Sequence, residues 1–487
     1  MQRQNCWKRP GVRLAVCTLA AAAAQAQTFA ILAQFDDENG STPNGPLVQG
    51  ADGNVYGTTM LGGAGAYGGQ GTIFKVTRDG ALTTLYSFCA QTAGAPQVGQ
   101  GDCPEGAQPN ALVLDAGGNL YGTASHGGAL RYGGTIFTVF PSAGAPVTLH
   151  RFCADVESCP VGGEGPTVGL VLGADGNFYG TTSQGGANNV GGTIFKITPR
   201  GALTTLYNFC SHPNCTDGEF PDAALIQGID GNFYGTTRFG GASGNGTIFR
   251  ITPGGKLTTL YSFDILGNDI LGALVQDRDG NFYGTTSAGG TYLGGTIFQI
   301  TAQGAFRTIY DFCEGKPCPD GEMPAAGLVL GTDGNLYGVT TGGGAKDHGT
   351  VFRISADGNL TTLYNFTAAD GYGSGGELLQ GTDGSFYGTT CCGVNTNHGI
   401  VFRLSAGLEP FVKTVPVAGR AGTGVSILGT DLTGTTSVAF NRTPAEFTVV
   451  SPTEIKAAVP AGATTGSVQV TTPGGTLASN VAFQVGP

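Results

Sequence analysis

The chain is poor in charge and almost without tryptophan. Of its 487 residues, 12% are Asp, Glu, Lys or Arg, and the one Trp is Trp7. The charge leans acidic, at a net −11, which argues against a nucleic-acid partner because that needs a basic surface. Histidine is scarce, at five residues. Neither a Gly-x-Ser-x-Gly elbow nor a His-Glu-x-x-His helix occurs, so two common hydrolase signatures are missing. No stretch after residue 26 is apolar over the roughly 20 residues of a membrane helix. No segment keeps a helical period, and 87 glycines oppose helices. Those glycines follow no three-residue period, which excludes collagen. The 40% of hydrophobic residues recur with a period, which excludes disorder.

Residues 1–26 read as a signal peptide. Arg3, Lys8, Arg9 and Arg13 precede an apolar run from Leu14 to Ala24. Ala24-Gln25-Ala26 supplies a small-x-small cleavage site. Without these four basic residues the net charge becomes −15. The expected product is exported, extracellular or periplasmic, with no membrane span.

What the chain does have is a repeat. Asp52-Gly53-Asn54-Val55-Tyr56-Gly57-Thr58-Thr59 recurs with its Tyr at 56, 121, 179, 234, 283, 337 and 387. Gly71-Thr72-Ile73-Phe74 comes after each copy, ending as Gly399-Ile400-Val401-Phe402. Each unit reads as four short strands, A to D. In the third unit A is Leu170–Leu172, B is Phe178–Thr182, C is Gly192–Thr198 and D is Leu203–Phe209. An Asp-Gly-Asn hairpin turn joins A to B. The seventh unit stops after Ser405 without a D strand. Phe29–Phe35 has the spacing of that missing strand. The expectation is an all-β chain: a seven-bladed β-propeller of four-stranded blades over residues 27–406, closed by the N-terminal strand. An open solenoid is the alternative, and it has no use for a split unit. From 407 to 487 the repeat stops, and short alternating strands predict an immunoglobulin-like β-sandwich.

The repeat resembles the GloVer (Gloeobacter–Verrucomicrobia) tandem repeat of exported bacterial proteins. The carrying residues are Asp-Gly-Asn-Phe-Tyr-Gly-Thr-Thr, Gly-Thr-Ile-Phe-Lys-Ile-Thr and Leu-Thr-Thr-Leu-Tyr-x-Phe. Gly117 and Ser385 depart from the turn pattern in units two and seven. The resemblance implies an envelope or surface location and no established chemistry. The tail is similar to IPT/TIG domains, through Gly419–Thr423, Val425–Gly429, Val459-Pro460-Ala461-Gly462 and Thr472-Pro473-Gly474-Gly475. That similarity implies an adhesive or spacer role. Asp-Gly-Asn-x-Tyr with Ile-Thr-Pro-x-Gly also looks like the repeats of antibiotic-inactivating propeller lyases, where the aromatic is usually Trp.

Cys6 and Cys17 lie in the signal segment. Eight others form close pairs between a D strand and the next A strand: Cys89-Cys103, Cys153-Cys159, Cys210-Cys215 and Cys313-Cys318. Local disulfides are expected in an oxidising compartment. Cys391-Cys392 reads either as a vicinal disulfide or as a thiol pair.

The B–C loops and D–A connections share one face and carry most of the variation, so a ligand site is sought there. Glu105, Glu164, Asp217, Glu219, Asp269, Asp320, Glu322 and Asp370 precede strand A. If they ring the channel mouth, they suit Ca²⁺, a hard cation; otherwise they are solvated turn acids. No other cofactor is expected. His126, His348 and His398 lie in B–C loops, open to a metal or a proton-transfer role. Tyr67, Tyr132 and Tyr292 are the candidates for stacking on a ligand. The leading function is a non-catalytic binding or adhesion protein of the bacterial envelope, with a polysaccharide or a cell-surface protein as partner. The alternatives are a lyase-type propeller enzyme using His348, His398 and Glu377, and a structural spacer.

Overall fold

The computed structural model describes residues 27–486 apart from 44, 65–68, 91–102, 129–132, 141–144, 154–162, 187–189, 265–271, 373–375 and 392–397. The expected signal segment therefore lies outside the described residues. All but one of the described elements are strands; the exception is a single 3₁₀ turn at Pro213–Cys215.

Six sheets run A–B–C–D in chain order, all antiparallel. In blade three these are Val171–Leu172, Phe178–Thr182, Thr193–Ile197 and Leu203–Asn208. The seventh sheet combines Leu379–Gln380, Phe386–Thr390 and Ile400–Ser405 with the N-terminal strand Thr28–Gln34. That strand pairs from Thr28↔Ser405 to Gln34↔Ile400, with a bulge between Ile31 and Ala33. The split unit thus completes blade seven, as its spacing predicts.

Each blade carries a cross-strand Gly–Phe pair. Gly180 faces Phe195, and a Cβ on Gly180 would lie 2.6 Å from the Phe195 ring. The ring occupies the space that the glycine leaves. Rings also join neighbouring blades. Tyr179 stacks on Phe233 of the next blade at 3.9 Å, and Phe152 meets Phe195 at 5.4 Å. These aromatics are inter-blade core, fully buried.

The Asp-Gly-Asn turns are structural. Asp175 accepts the Asn177 backbone N–H at 3.1 Å, the Asn177 side-chain amide at 2.7 Å and the Tyr179 hydroxyl at 2.9 Å. Burial and this carboxylate push the Tyr179 phenol upward. In blade two, where Gly117 replaces the Asp, Asp115 binds Gly117 and Asn119 from two positions earlier.

The tail is a sandwich of two four-stranded sheets. Val425, Ile427, Phe440, Ile455, Val468 and Phe483 fill its core. It rests on A–B turns of blades one and two and on the C–D turn of blade one. Thr453 donates to the Ala51 carbonyl at 2.7 Å, Ser426 to the Ala116 carbonyl at 3.1 Å, and Arg78 to Thr430 at 3.0 Å. Leu428 enters the core shared by blades one and two. Burial lowers Lys413 to about 8 at this contact, against the pull of Asp383.

Candidate functional site

The D–A connections are strapped across two blades. In blade four, Gly218-Glu219-Phe220-Pro221 leads to strand A. Phe220 donates its N–H to Gly191 of blade three and accepts from Arg238 of its own blade, each at 2.9 Å. Its left-handed φ of 55° makes both bonds reachable. The same strap recurs from Gln108 to Gln70, Gly165 to Gly133 and Met323 to Gly294. Each strap delivers the residues just beyond it to the ring axis.

There, residues from all seven blades line one cavity of about 390 Å³. Its walls are mostly Gly, Ala and Pro, and its polar side chains are Asn110, Thr167, Asp222 and Glu377. Strand A is thus innermost, as expected. The acids that reach the axis are not those expected. Burial raises Asp222 to about 6, opposed by Arg238 and a hydrogen bond from Thr167. Burial alone raises Glu377 to about 8. Its side chain is part-buried and opens on the cavity, and none of the described residues is hydrogen-bonded or ion-paired to it.

This burial makes stability depend on pH. In the unfolded chain Glu377 ionises near ~4.3, whereas the native chain holds its proton to about 8. The native state therefore binds more protons between these limits, and stability falls as pH rises through them. Glu377→Gln should match the parent at pH 4 and exceed it by on the order of 3 kcal/mol at pH 8.5. Denaturant unfolding at both pH values measures this; equal stability at pH 8.5 would mean that the carboxyl is solvated.

The expected channel-mouth ring of carboxylates does not form among the described residues. Glu105 takes the Cys89 N–H at 3.0 Å and faces Tyr86. Asp217, Asp320 and Asp370 accept from Tyr207, Tyr310 and Tyr364 at 2.8, 2.9 and 2.8 Å. These tyrosines lie on the D strands, so the acids turn outward. Glu164 bridges to Gln184 and lies 3.6 Å from Cys153 Sγ. Glu322 lies 3.1 Å from Cys318 Sγ and 3.6 Å from Lys316. Glu219 sits with Cys210 and Cys215. Asp269 lies outside the described residues.

Three expected disulfides are formed: Cys89–Cys103, Cys210–Cys215 and Cys313–Cys318. Cys159 and Cys392 lie outside the described residues, and Cys391 Sγ is 3.3 Å from the Tyr372 carbonyl. The histidines are dispersed. His348 stacks on Tyr372 at 5.7 Å, His126 Nδ1 is 2.9 Å from Ser125 Oγ, and the His398 carbonyl accepts from Thr42. None of the three belongs to a metal-capable group among the described residues, and neither His348 nor His398 lines the cavity with Glu377. Tyr292 is 42% exposed beside Leu293; Tyr67 and Tyr132 lie outside the described residues.

The Gloeobacter/Verrucomicrobia repeat model matches residues 22–214, 162–329 and 314–436. The chain belongs to this repeat family. An IPT/TIG domain model matches residues 410–485 of this repeat protein. No curated protein matches the chain. Among solved structures, it is similar to the GH74 enzyme of Niastella koreensis at 13% identity and TM-score 0.47, covering 91% of this chain and 65% of that one. It is also similar to a gluconolactonase from Xanthomonas campestris at 12% and 0.39, covering 80% and 93%. A puromycin hydrolase matches at 15% and 0.46, covering 81% and 59%.

In this Gloeobacter/Verrucomicrobia repeat protein, sequence reasoning missed Asp222, Asn110 and Thr167. Their signal was the position after the strap proline. It reads Asn110, Thr167, Asp222 and Ala325 in blades two, three, four and six, varying where its neighbours repeat.

Proposed function

We propose that this protein is an exported, non-catalytic binding protein of the cell envelope, and that a polysaccharide chain inserts its end into the axial cavity. The observation that carries this reading is the cavity itself. All seven blades converge on about 390 Å³ holding two carboxylates, an amide and a hydroxyl, the low end of ligand-pocket size. Tyr292 in a B–C loop and Tyr372 in a D–A connection, 42% and 40% exposed, offer aromatic faces on the loop side of the blades. The opposite face carries the TIG domain, which suits a spacer or adhesive module.

A thermal-shift panel of polysaccharides and divalent cations tests the reading. A ligand at 100 times its Kd adds about 2.7 kcal/mol of stability. We expect a rise with at least one glycan, reduced in Asp222→Ala. A shift with Ca²⁺ alone would favour a cation site instead, and a flat panel would favour the spacer.

One observation favours an enzyme as the second reading. A carboxyl that keeps its proton to about 8 has the state of a general acid at neutral pH. Cleavage of a panel glycan, lost in Glu377→Gln, would establish it.

A further inference from the structure

A buried leucine stands immediately before strand A in six blades and within it in blade two: Leu47, Leu112, Leu170, Leu225, Leu274, Leu328 and Leu378. The residue before it faces the axial cavity. In six blades that residue is small: Pro46, Ala111, Gly169, Ala224, Ala273 and Gly327. In blade seven it is Glu377. One long carboxylate thus projects into a ring of six small neighbours. Its Oε2 reaches across to blade six, 3.0 Å from where a Cβ on Gly327 would stand. The six small residues leave the space, and the seventh position supplies the charge.

The carboxylate has no counter-charge of its own. The other ionisable group lining the cavity among the described residues is Asp222, another acid, which is already served by Thr167 and Arg238. No lysine, arginine or histidine among the described residues lines the cavity. A part-buried carboxylate that faces a cavity lined without any cation is matched by a ligand that brings a cationic hydrogen-bond donor. An acetamide offers this carboxylate only a neutral N–H, whereas a free amine brings the positive charge that the cavity lining lacks. The chain's net −11 draws a cation toward the site.

Resting on the polysaccharide-binding reading above, we propose that the ligand is an amino sugar with a free primary amine, and that Glu377 takes its ammonium group.

The test is isothermal titration of the disulfide-intact protein with glucosamine tetrasaccharide and with its N-acetylated counterpart, at pH 8 and pH 6. The free amine is expected to bind at least tenfold more tightly than the acetamide at pH 8. At pH 6 the Glu377 carboxyl keeps its proton, so the preference should shrink at least fivefold. Glu377→Gln should bring the two ligands to equal affinity while thermal unfolding stays cooperative. Equal affinities in the parent, or a preference that survives in Glu377→Gln, would overturn the amine assignment and leave saccharide binding standing. If neither tetrasaccharide binds, while another glycan of the thermal-shift panel does, the amine assignment alone falls. If no glycan binds at all, both readings fall together.

Discussion

A chain that begins at Asp36 should lose the cooperative melting of its propeller. The deletion removes the strand that pairs with Ile400–Ser405 along six register positions. It also removes Phe29, stacked on Tyr364 at 3.9 Å, and the fully buried Phe35, 5.0 Å from Phe74. Truncating a buried Phe costs about 3–5 kcal/mol. The loss of Phe35, with that of the part-buried Phe29 and a bare strand edge added, approaches the ~5–15 kcal/mol that hold a typical domain together. The edge left behind carries Val401, Phe402 and Leu404, so aggregation should accompany the loss. Calorimetry of the shortened chain measures the effect. A peptide of residues 27–36 added in trans should restore the transition. An unchanged melting temperature would mean that blade seven stands with three strands.

The second large effect concerns the seam between blades. Gly192→Ala should destabilise the protein by at least ~3 kcal/mol, whereas Gly176→Ala should cost only about 1 kcal/mol. Both glycines have left-handed φ, +84° and +77°, so both substitutions carry the same backbone strain. They differ in what the new methyl meets. At Gly176 nothing lies within 4 Å. At Gly192 the Cβ would fall 2.2 Å from the Thr182 carbonyl and 2.8 Å from Pro221 Cδ of the next blade. The carbonyl belongs to the B–C ladder, and Pro221 ends the strap that holds blade four to blade three. Neither moves without breaking backbone hydrogen bonds, so the excess over Gly176→Ala measures the seam. Chemical denaturation of the two variants side by side reads it, and equal losses would show that the seam yields.

The repeat made the blades legible. Period-two alternation of β-branched and aromatic residues names strands without reference to their partners. The split seventh unit named its own closing strand. Four tail strands carry no legible alternation: Lys413–Val415, Ala418–Gly419, Thr443–Pro444 and Gly475–Ala478. The first three are two or three residues long, and the last begins inside a Pro-Gly-Gly stretch that reads as a turn.

The acids were misplaced for a different reason. Position along the chain puts Glu105, Asp217, Asp320 and Asp370 near strand A, but it does not say where a side chain turns. A tyrosine on each D strand offers a donor, and the left-handed strap residue turns the connection toward its neighbouring blade. Hydrogen bonding therefore takes these carboxylates outward. Asp222 and Glu377 differ because they stand three and one residues before the strand-A leucines of their blades, at the axial cavity, where small residues make up most of the wall.

By itself, then, the sequence determined the number of blades, the order of their strands, the N-terminal closure, the sandwich tail and the pairing of nearby cysteines. All of these rest on local periodicity or short spacing. Only the tertiary structure decided which side chains share the axis, because closing a ring brings together residues some 50 to 60 positions apart. It is this convergence of six small residues that leaves the Glu377 carboxylate facing a cavity rather than a neighbour.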